Sequence, residues 1–232
     1  MKISARRRRL RPALERLDDR WLPAGFTPAQ VAAVYGLAGL KLAAPDGRLV
    51  DGDGSGQTIA IVAAYHNPNL ISDLKVFSET YGLPPADVSV VNLGTAESRD
   101  VWLSESAMDV QWAHAMAPGA SILLVEAASD SSFDVLTAVD VARNTPGVVA
   151  VSMSFGFTET AGQHVYDELF TTPAGHTGVT FVSASGDHGP TGGAMYPASS
   201  PNVLGVGGTS LVLDSSGGVQ SESVWSKSGS GP

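Results

Sequence analysis

The 232-residue chain has no cysteine, which excludes disulfides, a thiolate nucleophile and thiolate metal sites. It also has no run approaching the roughly 20 apolar residues that a membrane-spanning helix needs, so no transmembrane segment is expected. Charge is sparse: 16% of residues are charged against 43% hydrophobic, a balance that suits one well-buried globular domain. Basic residues are scarce beyond the start. Met1 to Ala24 hold eight Lys and Arg against three Asp and Glu, while the remainder holds six against twenty, a net charge near −14. Such a body repels phosphate backbones, so nucleic acid is not an expected partner.

The charge asymmetry divides the chain into a basic leader over residues 1–24 and a domain over 25–232. The leader begins like an export signal but lacks the apolar core and small-residue cleavage site of a secretory peptide. Its "LERLDDRWLPA" resembles a leader found on large exported bacterial proteins, which implies a secreted or cell-surface location. The domain opens on "FTPAQVAAVYGL", where Thr27 is placed to cap a helix and Pro28 to occupy its first position. "APDGRLVDGDGSGQ" reads as loop. Its "DGDGSG" has the look of an EF-hand start, but the glutamate that would close a calcium loop is missing.

From Gln57 onward short apolar runs alternate with helical segments. "TIAIVAAY", "VSVVNL", "SILLVEAA", "GVVAVSMSF" and "GVTFVSAS" are strand-like, and "LISDLKVFSETYG", the stretch around "ESAMDVQWAHAM", "FDVLTAVDVARN" and "GQHVYDELFTTP" are helical. This order predicts an α/β fold with a mostly parallel sheet covered by helices on both faces, its functional groups at the carboxyl ends of the strands. A dinucleotide-binding domain of this class would carry G-x-G-x-x-G after the first strand; "AAYHNPN" stands there instead.

Two features carry candidate chemistry. Glu105 and Asp109 stand four apart on one predicted helix, so their side chains share a face. Asp187 follows the strand "VTFVSAS" in the glycine-rich turn "GDHG". Taken singly, the pair reads equally as a solvated helix face and Asp187 as a turn residue bonded to its own backbone. Of the five histidines, His114 lies five positions after Asp109, roughly 140° around the helix, and reads as structural. His188 is a neighbour that could tune Asp187. No H-E-x-x-H spacing suggests a metal.

Together "FTPAQVAAVYGL", "GQTIAIVAAYHNPN", "ESAMDVQWAHAMAPGA", "VSMSFG", "SASGDHG", "YPASSPNVLGVGGTS" and "SVWSKSGSG" resemble, in order, the sedolisins, serine-carboxyl peptidases of subtilisin-like fold. The resemblance runs from about Phe26 to the end of the chain. It implies Glu105 as general base, Asp109 as its partner and Asp187 as the acid of the oxyanion hole. It further implies that a polypeptide substrate lies along Ser152, Met153, Ser154, Phe155 and Gly156, and that the protein is an acid-active, monomeric endopeptidase. The family's nucleophile sits in Gly-Thr-Ser-x-Ser at the start of a helix. Gly208-Thr209-Ser210 spells only its beginning and continues as the strand-like Leu211-Val212-Leu213, so Ser210 is not expected to be the nucleophile. The catalytic domain is therefore expected to stop short of its nucleophile and of the region that holds the family's structural calcium, which leaves no metal ligands to name. Ala63, His66 and Asn67 occupy positions where relatives often have aspartates. A non-catalytic peptide-binding domain is the alternative.

Overall fold

The computed structural model describes residues 25–94, 97–193 and 195–229; the leader read over residues 1–24 lies outside them. The domain opens with helix α1 (Pro28–Val34), started by the expected capping box: the Thr27 hydroxyl accepts from the Gln30 amide, and the Gln30 side chain accepts from the Thr27 amide. The stretch expected to be loop instead holds a small hairpin, β1 (Lys41–Ala43) with β2 (Leu49–Asp51). Its turn is local chemistry: Asp46 accepts from the Arg48 amide, and Gly47 adopts φ 82°.

The alternating region follows as β3 (Thr58–Ala64), α2 (Leu70–Tyr81), β4 (Asp87–Asn92), α3 (Asp100–Met116), β5 (Ser121–Ala127), α4 (Ser132–Asn144) and β6 (Val148–Met153). After β6 come the two-residue β7 (Phe157–Thr158), a 3-10 helix over Gln163–Phe170, β8 (Thr180–Ala184), β9 (Met195–Tyr196), β10 (Leu204–Val206), and a hairpin of β11 (Thr209–Leu213) with β12 (Val219–Val224). The segment 163–170 is helical as expected, but tighter than an α-helix.

Six strands form the main sheet in the order β10-β8-β6-β3-β5-β4, every pair parallel. The reason is visible in the side-chain alternation. Along β3, Ala60, Val62 and Ala64 face a core shared with α4, while Ile61 and Ala63 face a second core under α2 and α3. Strand β5 repeats this, with Leu123, Val125 and Ala127 on the α4 side and Ile122 and Leu124 on the other. Strands buried on both faces need apolar residues at consecutive positions, which is what the continuous runs in the sequence are. On that second face, helices α2 and α3 lie over β3, β4 and β5. The same face of β6, β8 and β10 is less covered: Val182 is half-buried, and Leu204 and Val206 are exposed.

Candidate active site

The site lies where α3 crosses the carboxyl end of the sheet. Helix α3 packs its buried residues Ser106, Val110 and His114 inward, which turns Glu105 and Asp109 along its flank toward the end of β6. Immediately after β6, the Ser154 hydroxyl donates to Asp109 Oδ1 at 2.9 Å. Glu105 is raised above the ordinary glutamate range by burial; Ser154 opposes this through its hydrogen bond, and the charge of Asp187 adds to it. Asp109 is pushed up to about 7, first by burial, with Ser154 pulling down and the Glu105 charge pushing up. Asp187, remote in sequence, thus acts on Glu105, which in turn acts on Asp109, and Ser154 is bonded to Asp109 beside them. Neighbouring carboxyl groups resist simultaneous ionisation, and here it is Asp109 that keeps its proton up to about pH 7.

Asp187 is exposed on the turn after β8, as the sequence suggests. Gly186 takes φ 106° and packs so closely on Met195 that an added Cβ would lie 2.7 Å from its Sδ. The turn is braced by the chain's last described residues. Gly189 donates to the Lys227 carbonyl at 2.8 Å, Gly229 to the Gly186 carbonyl at 2.6 Å, and the Ser185 hydroxyl to the Gly229 carbonyl at 2.8 Å. The serine- and glycine-rich "SKSGSG" therefore supports the carboxylate turn, because side chains larger than these would not fit between the backbones.

The five residues expected along a substrate divide. Ser152, Met153 and Ser154 line a cavity of about 180 Å³ with Val182, Ser183, Ala184 and Val206. Phe155 is buried in the core on the α4 side, and Gly156 packs on Met195. Ser152 and Met153 are paired on both sides, to β3 and to β8, so they have no free edge for an added strand; that ladder ends at Met153.

The sequence also singles out His114, His188 and Ser210. His114 is fully buried, with Nε2 2.9 Å from the Pro84 carbonyl, as a structural histidine should be. His188 is exposed. Ser210 sits within β11, paired to Ser223, not at an exposed elbow. Among the described residues no group of three or more His, Asp or Glu could hold a metal ion.

Sequence reasoning missed one polar centre. Glu126, on β5, is 1% exposed, and its carboxylate accepts from the Asn67 amide at 2.9 Å and from Asn92 Nδ2 at 3.0 Å, with His66 Nδ1 2.8 Å away. The one available signal was a charged residue inside an apolar strand run. The adjoining turn contains Tyr65 at φ 61°, a left-handed conformation rare for an aromatic residue, with the Arg99 guanidinium 4.5 Å over its ring and its hydroxyl donating to Asp130 at 3.0 Å.

Comparison with known proteins fits this geometry. Residues 93–231 match the model of the subtilase family. Kumamolisin from Bacillus sp. (strain MN-32) is 32% identical over 238 aligned positions, covering 94% of this chain and 40% of the relative. Sedolisin from Pseudomonas sp. (strain 101) is 23% identical over 228 positions, covering 88% of this chain and 37% of the relative. The solved structure of Pseudomonas sedolisin, a serine-carboxyl proteinase complexed with two molecules of pseudo-iodotyrostatin, superposes with a TM-score of 0.70 at 24% identity, over 87% of this chain and 58% of that one. The chain thus spans about two fifths of the length of the curated relatives it matches. With the family model covering more than half of its residues, and kumamolisin and sedolisin among its relatives, the chain belongs to the subtilase family and, within it, to the sedolisins.

Proposed function

We propose that these residues form the acid-bearing part of a serine-carboxyl endopeptidase that cleaves extended polypeptides in acid, with Glu105 as general base, Asp109 as its partner and Asp187 as the oxyanion donor. The observation that carries the reading is the placing of Glu105 and Asp109 one turn apart on α3, with Ser154 bonded to Asp109 at the carboxyl end of β6 and the charge of Asp187 acting on Glu105. A carboxylate base stays available in acid, where a histidine would already be protonated. Glu105 takes the proton of a serine hydroxyl as its oxygen attacks the scissile carbonyl carbon. A protonated Asp187 donates a hydrogen bond to the oxygen that gains negative charge, a type of contact contributing about 3 kcal/mol in related chemistry. Glu105 then returns its proton to the departing amine, and water repeats the sequence to release the acyl group. The substrate backbone runs past Ser154, where the β6 ladder has ended, and its side chains face the cavity beside Val182 and Val206.

The nucleophile in this reading belongs to a Gly-Thr-Ser-x-Ser motif, which does not occur in the 232 residues, so the chain by itself binds peptide without turning it over. Export to the cell surface or medium and a monomeric state accompany the proposal. The second reading is a domain that binds peptides and never cleaves them.

The test is to incubate the chain at about pH 4 with an unfolded polypeptide, alone and joined to the matching serine-bearing portion of a relative, following binding by calorimetry and cleavage by mass spectrometry. The peptidase reading expects binding by the chain and cleavage only by the joined protein, lost in Glu105→Gln and Asp187→Ala. Binding with no cleavage in a correctly folded joined protein favours the second reading. Cleavage unaffected by either substitution overturns the assigned roles.

A further inference from the structure

Glu126 has no part in the chemistry above, yet it is a buried carboxylate satisfied from three directions: the Asn67 amide, Asn92 Nδ2 and His66 Nδ1. A carboxylate can only accept, so His66 carries hydrogen on Nδ1 in this arrangement. Each of its partners lies at the carboxyl end of a strand, Asn92 at the end of β4 and the 65–67 turn directly after β3.

The contacts continue from there into α3. Asn67 is held through its backbone amide by Glu126, and its side-chain amide reaches the helix, donating to Ser106 Oγ at 2.9 Å and to the Leu103 carbonyl at 3.0 Å. Its side-chain oxygen accepts from the Asn69 amide, which fixes the start of α2. Ser106 follows Glu105 directly and lies roughly 100° farther round the helix, so a grip at Ser106 governs how far the Glu105 and Asp109 flank is pressed toward Ser154. In the sheet, Glu126 pairs with Ala63 on β3, and Ser154 falls one rung past the end of the β6 ladder at the same level. Glu126 and Ser154 are therefore about 10 Å apart, two strand spacings, on the same face and under the same helix. The turn that links Glu126 to α3 contains Tyr65 in its left-handed conformation, a strain that persists only where surrounding contacts over-determine it.

We propose that Glu126 is a positioning residue for the carboxylate pair, acting through Asn67 and Ser106 to hold α3 at the depth that buries Asp109 against Ser154. The proposal rests on the reading of Glu105 and Asp109 as the working acids, and it deepens that reading by naming what sets their environment. The groups facing Asp109 are Glu105 and Ser154, with Asp187 acting on Glu105; Glu126 touches none of them directly.

The test follows the Asp109 carboxyl by carbon-detected NMR titration in the intact chain, in wild type and in Ser106→Ala, Asn67→Ala and Glu126→Gln. Burial is the dominant cause that raises Asp109, so a helix released from its anchor lowers the midpoint. The expected result is a fall from about 7 by about one unit or more in each variant, with native circular dichroism retained. Combining Glu126→Gln with Ser106→Ala adds no further shift, because both break one chain of contacts. An unchanged Asp109 midpoint in folded Ser106→Ala and Asn67→Ala overturns the proposal, even where thermal stability drops, since a merely structural role lowers stability without moving that titration. Should Glu126→Gln fail to fold, the two milder variants decide. Failure of the peptidase reading is seen separately, as the absence of peptide binding by the wild type.

Discussion

Helix α3 passes over two carboxylate sites on one face of the sheet, and they are built in opposite ways. At Glu126 the charge is almost wholly buried, but donors from three sides meet it. At Glu105 and Asp109 the burial is partial, the donor is a hydroxyl from Ser154, and the neighbouring groups are more carboxylates. Depth alone therefore does not decide what a buried acid does. The balance between donors and like charges does, and it makes one site a structural anchor while at the other Asp109 keeps its proton up to about pH 7.

Substitutions can sharpen that contrast. The largest effect is expected from Glu126→Ala, which leaves the Asn67 amide and the Asn92 and His66 side chains without their acceptor. Breaking such a buried set destabilises by about 3–5 kcal/mol, measurable by urea unfolding near pH 6. If the loss is under about 1 kcal/mol, Glu126 is not an anchor. Asp109→Asn should act in the opposite direction. The folded-state value of Asp109, about 7, lies above its ordinary 3.8, so the folded chain retains a proton that the unfolded chain releases. Stability from this group is greatest below about pH 4, falls as pH rises through 4 to 7, and its penalty is complete above 7. A neutral amide at this position carries no such penalty, so the variant should gain on the order of a few kcal/mol at pH 8 and lose the slope between pH 4 and 7. An unaltered slope would show that Asp109 is not the group responsible.

Fold and site are legible in the sequence to different degrees. The parallel sheet can be read because strands buried on both faces, such as "TIAIVAA" and "SILLVEA", must be apolar at consecutive positions. The pairing of Glu105 with Asp109 follows from helical geometry alone. The strand order cannot be read, since β6 beside β3 and β10 at the edge depend on contacts far apart in sequence. Nor can the β1–β2 hairpin, whose exposed residues give no alternating pattern to separate it from loop. Within the site, Ser154 is singled out only through the resemblance, and its bond to Asp109 exists because β6 ends beneath α3. The 65–67 turn gives little signal because it holds no acid of its own, and the acid it meets stands on β5 as Glu126.

Smaller effects should follow at the edges of each site. Ser154→Ala removes the hydroxyl bonded to Asp109, which should raise that group further and cost about 1 kcal/mol at pH 8, where the carboxylate form needs the donor most. Asn92→Ala removes one of the three donors around Glu126 and leaves untouched the Asn67 contacts that reach α3. It should cost about 1 kcal/mol and leave the Asp109 titration where it is.

The central claim is that Glu105, Asp109 and Asp187 form one coupled acid cluster. It is tested most directly by titrating the side-chain carboxyl carbons of all three by NMR, in wild type and in Asp187→Asn. A coupled cluster predicts an Asp109 midpoint near 7, a raised Glu105, and a fall in the Glu105 midpoint when the Asp187 charge is removed. Independent titrations in the ordinary carboxylate range, indifferent to Asp187→Asn, would contradict it.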